Sequence, residues 1–161
     1  MKPADALDVV PATGDDAPGV IALIGRVCEE YGFVWVPEVE VPDLFDFDTH
    51  YRAPRGTFFV VRERDVVVGS VGVERVDGET AEIHRLYLDQ RLRGRGTGRA
   101  LMEAALAWCR AEGLTRVTLW SDTRFDHAHH LYTRLGFTRG PERVLPDDLN
   151  ATREYFFERT V

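Results

Sequence analysis

The sequence predicts one α/β (α+β) domain over residues 1–161, with a mixed, mostly antiparallel sheet of about seven strands and about four helices on its faces. Three observations predict it. The chain has 161 residues, a length typical of one domain, and 44% of them are hydrophobic, enough to form a core. Runs of β-branched and aromatic residues recur between turn signals. Two long segments carry apolar residues at helical spacing.

The N-terminal third predicts a strand, a helix and an irregular segment. Residues 7–12 (LDVVPA) predict a short strand, and residues 15–33 predict a helix with Asp15 and Asp16 near its positive N-terminal end. Residues 34–51 are rich in proline, acidic and aromatic residues, and they predict a loop followed by a short helix over 43–51. The apolar face of the first helix consists of Val20, Leu23, Ile24, Val27 and Cys28.

The middle of the chain predicts an antiparallel meander. Strand signals occupy residues 57–63, 66–76 and 80–88. Tight turns at Arg64-Asp65 and Asp77-Gly78 separate them, and turns this short join antiparallel neighbours.

The C-terminal half predicts alternating helices and strands. A helix over residues 97–112 is followed by Gly113 as its C-terminal cap, and residues 116–122 predict a strand. A short helix over 126–135 ends at Gly136 by the same logic. Two further strands, residues 137–145 and 153–161, complete the predicted sheet.

Composition excludes several classes of function. The net charge of −7 argues against nucleic-acid binding, which requires a basic face. The longest apolar-rich run, residues 66–73, is too short to span a bilayer, and the N-terminus lacks the apolar core of a signal peptide. We therefore expect a cytoplasmic protein that binds neither nucleic acid nor membrane. Cys28 and Cys109 lie in apolar helical patterns and predict buried free thiols.

One stretch concentrates positive charge in this acidic chain. Residues 86–102 (LYLDQRLRGRGTGRALM) join a predicted strand to a predicted helix through a glycine-rich turn. The first N–H groups of a helix lack intrahelical partners, and glycine lets the backbone approach a ligand, so such a junction binds phosphate. Arginine adds charge-assisted contacts. The stretch predicts a polyphosphate site built from Arg91, Arg93, Gly94, Arg95, Gly96, Gly98 and Arg99.

The spacing of the glycines distinguishes between families of phosphate-binding loops. It fits neither GxxxxGK nor GxGxxG, but it fits R/Q-x-x-G-x-G/A from Arg91 to Gly96. This motif resembles the acetyl-CoA motif of the GNAT superfamily of N-acetyltransferases. The resemblance includes AHHLYTRLGF at residues 128–137 and is clear over residues 57–137. Residues 119–137, with EYFF near the C-terminus, also resemble a bacterial GNAT subgroup.

The resemblance implies a GNAT fold, acetyl-CoA as co-substrate and no metal. In that family the fourth strand splays from the fifth and hydrogen-bonds the pantetheine arm, which here implicates Leu86, Tyr87 and Leu88. Phe125 stands where many members have an asparagine that contacts this arm, so Thr123 or Arg124 is the candidate replacement. The pyrophosphate would lie on the backbone of Arg93, Gly94, Arg95, Gly96, Thr97, Gly98 and Arg99.

The resemblance also implies catalytic residues. Tyr132 occupies the family's general-acid position, with packing on the cofactor arm as the alternative. Glu82 is our first candidate for the base that deprotonates the acceptor, and Leu88 N–H is our candidate for the oxyanion donor. His84 shares the face of Glu82 and is a second base candidate, with a structural role or a ligand contact left open. The amine can also lose its proton through a water chain.

The leading functional hypothesis is transfer of acetyl from acetyl-CoA to a primary amine by direct attack in a ternary complex. The acceptor is a small molecule or a protein amino group, with residues 35–51 over the acceptor side, in a monomer or homodimer. The alternatives are a catalytically silent acyl-CoA-binding regulatory module and a nucleotide-binding module. Helical spacing of Asp126, His127 and His130 permits a metal site, but polar helix residues near the cofactor are the preferred interpretation.

Overall fold

Seven strands form one mixed sheet in the computed structural model, which describes residues 7–161. The strand order is β1-β2-β3-β4-β5-β7-β6, and every neighbouring pair is antiparallel except β4 and β5. The predicted fold class is therefore confirmed. The signal-peptide expectation rests partly on residues 1–6, which lie outside the described residues. The strands are β1 Val9–Pro11, β2 Gly56–Glu63, β3 Val66–Arg75, β4 Thr80–Leu88, β5 Arg116–Asp122, β6 Thr138–Val144 and β7 Arg153–Thr160.

The helices of residues 7–161 include two short ones where the sequence predicted a loop and one helix. Residues 34–51 form α2, a 3-10 turn and α3. Pro37 and Pro42 are the first residues of α2 and of the 3-10 turn, because proline has no N–H to donate and therefore starts a helical turn rather than continuing one. Among residues 7–161, no helix is long and apolar enough to cross a membrane. The helices are α1 Ala17–Tyr31, α2 Pro37–Glu40, α3 Phe47–Tyr51, α4 Thr97–Ala111 and α5 Asp126–Arg134.

Two buried clusters hold the helices against the sheet. One cluster packs α1 and α3 against β2 and β3, with Leu23, Phe47 and Phe58 among its members. The other packs α4 and α5 against the sheet through Leu101 and Leu135 among others. Cys28 belongs to the first cluster and Cys109 to the second, and both are buried free thiols as predicted. Burial raises the pKa of each thiol to about 11.

The sheet opens between β4 and β5, the one parallel pair among residues 7–161. Residues 80–83 of β4 pair with residues 116–119 of β5, and Ile83 opposite Leu119 is the last pair between these strands. Beyond it, β4 continues to Leu88 and β5 to Asp122 without a shared ladder. The β3–β4 register also shifts between Ser70 and Gly72. A parallel pair that ends early leaves backbone groups of residues 84–88 facing a gap, and this gap locates the site.

Candidate active site

A cavity of about 380 Å³ lies beside the end of β4, in the part of the strand that no longer pairs with β5. Val27 and Tyr31 of α1 line one part of it, and Phe125, His127 and Leu131 another. This cavity is here called the donor cavity. Of the residues predicted to bind the cofactor, Arg95 and Thr97 do not line it. The others do: Leu86, Tyr87, Leu88, Arg93, Gly94, Gly96, Gly98 and Arg99.

The glycines of this loop have the conformations that the sequence pattern requires. Gly94 and Gly96 have φ values of 76° and 83°, in the left-handed region that favours glycine. Gly96 precedes the first turn of α4, where no side chain caps the helix. The first N–H groups of α4 are consequently available to a bound anion.

Three of the four arginines of the loop are paired with acidic side chains. Arg93 donates to Glu30 on α1 (Nη2–Oε1, 2.9 Å) and to the carbonyl of Leu88 (3.1 Å), so it ties the end of α1 to the end of β4. Arg91 is paired with Glu63 on β2, and Arg99 with Glu103 one turn along α4. Arg93 and Arg99 also line the donor cavity.

A second cavity, of about 440 Å³, adjoins the first. The two share Leu86, Tyr87, Phe125 and Ala128 as lining residues. The second cavity, here called the acceptor cavity, is also lined by Trp35 and Trp120 and by the three predicted catalytic residues, Glu82, His84 and Tyr132.

Carboxylates outnumber cations around the acceptor cavity. Its lining arginines are already bound: Arg85 donates to both oxygens of Asp43 (3.1 and 2.5 Å) and Arg143 donates to Glu154 (2.9 and 2.7 Å). Within residues 7–161, the carboxylate of Glu40 makes no hydrogen bond or ion pair. The full set of lining carboxylates is Glu40, Asp43, Glu74, Glu82, Asp122, Asp148 and Glu154.

The charge of Glu40 is therefore only partly compensated by the protein, through the nearby charge of Arg85. Burial first, and then the nearby charge of Asp148, raise the pKa of the Glu40 carboxyl. A cation in the cavity would relieve this repulsion, and the aromatic ring of Trp35 suits the same kind of ligand. The Trp120 ring already has the Arg143 guanidinium over it, 3.9 Å from the ring centroid. The cavity is electrostatically complementary to an ammonium group.

A line of hydrogen bonds connects the predicted base residues to the core. Glu82 Oε1 lies 2.7 Å from His84 Nε2, and His84 Nδ1 lies 3.3 Å from Tyr51 Oη. Tyr51 donates to Asp43 Oδ2 at 2.5 Å. The hydrogen bond from His84 is the largest cause of a lowered pKa at Glu82. Sequence reasoning found Glu82 and His84 but missed Tyr51, Asp43 and Arg85.

Tyr132 lies at the other side of the acceptor cavity. Its ring packs against Phe137 and Phe157, and its hydroxyl hydrogen-bonds with Ser121. Burial raises the pKa of Tyr132 above its ordinary value despite that hydrogen bond, so the phenol remains protonated near neutral pH. His129 Nε2 lies 3.0 Å from Ser121 Oγ and was missed, although its i,i+3 spacing to Tyr132 places both on one helix face.

The β6–β7 loop is fastened beside the acceptor cavity. The Asn150 amide exchanges hydrogen bonds with the Val34 backbone, accepting from N–H at 2.8 Å and donating to the carbonyl at 3.0 Å. Asp148 accepts from Asn150 N and from Thr152 N and Oγ1, which holds the loop in shape. This loop brings Asp148 to the cavity, a placement that sequence reasoning did not predict.

Thr123 and Arg124, the candidate replacements for the family's asparagine, line neither cavity. Thr123 donates its backbone N–H to Arg153, and Arg124 binds Asp122 while its guanidinium lies 4.1 Å from the Phe33 ring centroid. In the described part of the chain, no group of three or more His, Cys, Asp or Glu side chains is arranged to hold a metal ion.

The chain matches a known protein family and several relatives in sequence. The profile described as "Acetyltransferase (GNAT) family" matches residues 24–137. The N-acetylaspartate synthetase of Danio rerio is 32% identical over 99 residues, which is 60% of this chain and 35% of the synthetase. The chain thus spans about a third of the length of that relative. The uncharacterized N-acetyltransferase YjgM of Escherichia coli is 28% identical over 130 residues, 78% of each chain.

Solved structures agree on the fold. An acetyltransferase from Streptococcus agalactiae superposes with a TM-score of 0.81 at 20% identity, covering 98% of this chain and 99% of that one. At this level of identity the likeness concerns the fold alone.

Proposed function

This chain belongs to the GNAT acetyltransferase family, and from that premise we propose that it moves the acetyl group of acetyl-CoA to a primary amine by direct attack in a ternary complex. One observation carries the proposal. The donor and acceptor cavities meet at Leu86, Tyr87 and Phe125, where β4 and β5 separate. A thioester entering from one side can therefore meet an amine entering from the other.

The chain offers two kinds of backbone contact for acetyl-CoA. Residues 84–88 of β4 have no β5 partner, so their free backbone groups can hydrogen-bond the pantetheine arm as an added strand would. The N–H groups of residues 93–99 lie at the start of α4 and suit the pyrophosphate. Arg93 and Arg99 line the same cavity, and their guanidinium N–H groups can donate to phosphate oxygens in exchange for Glu30 and Glu103.

Replacing Gly96 by alanine tests this donor site. Its φ of 83° would cost an alanine about 1–2 kcal/mol, so the loop of the variant is expected to relax in the free protein. Because CoA must then restore the strained conformation, we expect its binding, measured by calorimetry, to weaken by about 5- to 30-fold. Gly113→Ala is the matched control, because Gly113 has a φ of 74° at the other end of α4 and lies outside both cavities. Equal CoA affinities of the two variants would contradict a role for the Gly96 loop.

The chemistry requires a proton to leave the acceptor. An alkylammonium has a pKa near 10.4, so about one molecule in a few thousand is a free amine at neutral pH. We propose that Glu82 and His84 remove the proton. The amine nitrogen then bonds to the thioester carbon, and Leu88 N–H stabilises the oxyanion. The C–S bond breaks, Tyr132 protonates the leaving thiolate, and the extra proton on the former amine nitrogen passes to the Tyr132 oxygen, which restores the phenol and leaves the neutral amide.

Direct attack is supported by the state of the cysteines. Cys28 lines the acceptor cavity, but burial, and then the charge of Glu40, raise its pKa to about 11. A protonated thiol is a poor nucleophile. Cys109 is fully buried in the other cluster. Neither cysteine is suited to carry an acetyl intermediate.

A panel of acceptors matched in length tests the amine proposal. We expect 1,4-diaminobutane to give a higher kcat/KM than butylamine, and 4-aminobutanoate the lowest, because Glu40 and Asp148 favour a second cation and the lining arginines are already bound. The readout is thiol release from acetyl-CoA, beside calorimetry with CoA. Aspartate belongs in the panel, since the Danio rerio relative is named for N-acetylaspartate.

The outcomes separate the candidate functions. Turnover with the reverse order would leave acetyl transfer intact and contradict the cationic acceptor. Tight CoA binding without turnover on any amine would favour the silent regulatory module. Absence of CoA binding would contradict the whole proposal.

A further inference from the structure

Two loops that line the acceptor cavity are joined to each other. Residues 33–35 follow α1, and residues 145–152 connect β6 to β7. The Asn150 amide joins them, because it accepts from Val34 N–H at 2.8 Å and donates to the Val34 carbonyl at 3.0 Å. This exchange resembles a hydrogen-bonded pair of an antiparallel sheet, in which each residue also donates and accepts. The contact closes the space between the two loops.

Arg124 ties the same two loops to the end of β5. Its guanidinium donates to Asp122 through Nε and Nη2, at 2.9 and 2.8 Å, so the direction of the side chain is fixed. The same group lies 4.1 Å from the Phe33 ring centroid and donates to the Asn150 carbonyl and Thr152 Oγ1, each at 3.4 Å. One side chain therefore contacts both loops.

The β6–β7 loop is held in one shape by its own hydrogen bonds. Asp148 accepts from the backbone N–H groups of Asn150 and Thr152, at 3.0 Å each, and from the Thr152 hydroxyl. Although burial raises the pKa of the Asp148 carboxyl, these bonds lower it further, so the group is charged at neutral pH. Asp147 and Ala151 have φ values of 58° and 48°, and such strain persists where surrounding contacts enforce it. The loop is a preformed wall of the cavity.

A polypeptide acceptor needs a wider opening than these two loops leave. The chain that carries a protein amino group has to run out of the cavity, and even hydrogen-bonded neighbouring strands lie about 4.7–4.9 Å apart. The loops meet at hydrogen-bond distance, 2.8–3.0 Å, so no chain passes between them while these bonds hold. The cavity volume of about 440 Å³ lies in the range of small-molecule sites, about 300–1,000 Å³.

We propose that Val34, Arg124 and Asn150 form a clasp that limits the acceptor to a small free amine and excludes the amino groups of peptides and proteins. The proposal rests on the proposed function and deepens it, because it selects one of the two acceptor classes that the sequence left open. Asn150 is the specificity-determining residue, since its amide makes both bonds to Val34.

The first test compares the same amine free and attached to a peptide. Butylamine has the four-carbon stem of a lysine side chain, so its match is a pentapeptide with blocked ends and one central lysine among glycines. Glycinamide is matched in the same way by pentaglycine amide. A peptide has to break the two Val34 bonds, each worth up to about tenfold, so we expect its kcat/KM to be about 10- to 100-fold below that of the matched small amine. Peptides acetylated as well as the small amines would overturn the proposal.

The second test is Asn150→Ala, which removes both bonds to Val34. We expect kcat/KM to rise about tenfold for the peptides and to fall for butylamine, with CoA affinity unchanged. Partial unfolding cannot produce the rise. Asp77→Ala is the matched control, because the Asp77 carboxylate also accepts from two backbone N–H groups, those of Glu79 and Thr80, in an exposed turn outside both cavities. An unchanged ratio of peptide to butylamine turnover in Asn150→Ala would contradict the clasp.

Hydrogen exchange at the Val34 amide tests the clasp without any turnover. This N–H donates to Asn150 Oδ1, so it should exchange slowly in the unaltered protein and about tenfold faster in Asn150→Ala. An unprotected Val34 amide in the unaltered protein would overturn the proposal. If no amine is acetylated, the proposed function fails and the acceptor limit with it. If peptides are acetylated as well as butylamine, only the acceptor limit fails.

Discussion

Glu82→Gln is expected to lower kcat/KM for the amine by about 10²- to 10³-fold while leaving CoA affinity unchanged. Glutamine matches the shape of glutamate, so packing survives, but the amide cannot accept the proton from the ammonium or transmit it to His84 at 2.7 Å. The measurement is steady-state kinetics beside CoA calorimetry. Glu79→Gln is the matched control, because Glu79 is exposed and lines neither cavity.

Glu82→Gln is also expected to change how the free energy of unfolding depends on pH. The pKa of Glu82 in the folded protein is lowered, first of all by the His84 hydrogen bond. A depressed carboxyl pKa stabilises the fold above the unfolded pKa, near 4.3, and that stabilisation is lost as pH falls through the folded value. The difference in unfolding free energy between the unaltered protein and Glu82→Gln should therefore be full at neutral pH and shrink below about pH 4. A pH-independent difference would contradict the Glu82–His84 bond.

The fold was predictable where the determining interactions are local. Residues 57–88 alternate and turn within a short span, and the hairpin residues Arg64 and Asp65 have positive φ values of 50° and 66°. The donor loop was predictable for the same reason, since Gly94 and Gly96 encode their backbone conformation directly. Arg95 and Thr97 do not line the cavity, and their backbone contacts to the pyrophosphate stay a prediction.

The acceptor cavity was less predictable, because its parts come from distant segments. Tyr51 and His84 are 33 residues apart, and Asn150 and Val34 are 116 apart. No periodicity in the sequence reports such pairs. The contact of Arg85 with Asp43 could not be predicted for a different reason. A regular strand would place the Arg85 side chain on the face opposite His84, and only the strained bulge turns it toward Asp43.

Tyr132→Phe is expected to lower kcat by about 10²-fold and to weaken acetyl-CoA binding far less. The phenyl ring retains the contacts with Phe137 and Phe157, so the loss is confined to the hydroxyl and its bond to Ser121. Rapid-mixing measurement of thiol release and calorimetry with CoA separate the two effects. Tyr155→Phe serves as control, since it removes a hydroxyl outside both cavities.

The protonation state of Tyr132 adds a second constraint. Because burial raises its pKa, the acid form persists through the alkaline range, so kcat should show no alkaline limb from Tyr132 below about pH 10. The choice of acetyl donor gives a direct test of the acid. With an acetyl thioester whose thiol has a low pKa, the leaving thiolate needs no proton. Tyr132→Phe should then lose little activity, whereas Glu82→Gln should lose as much as before. If the low-pKa thioester rescued neither variant, or rescued both, Tyr132 would not be the acid.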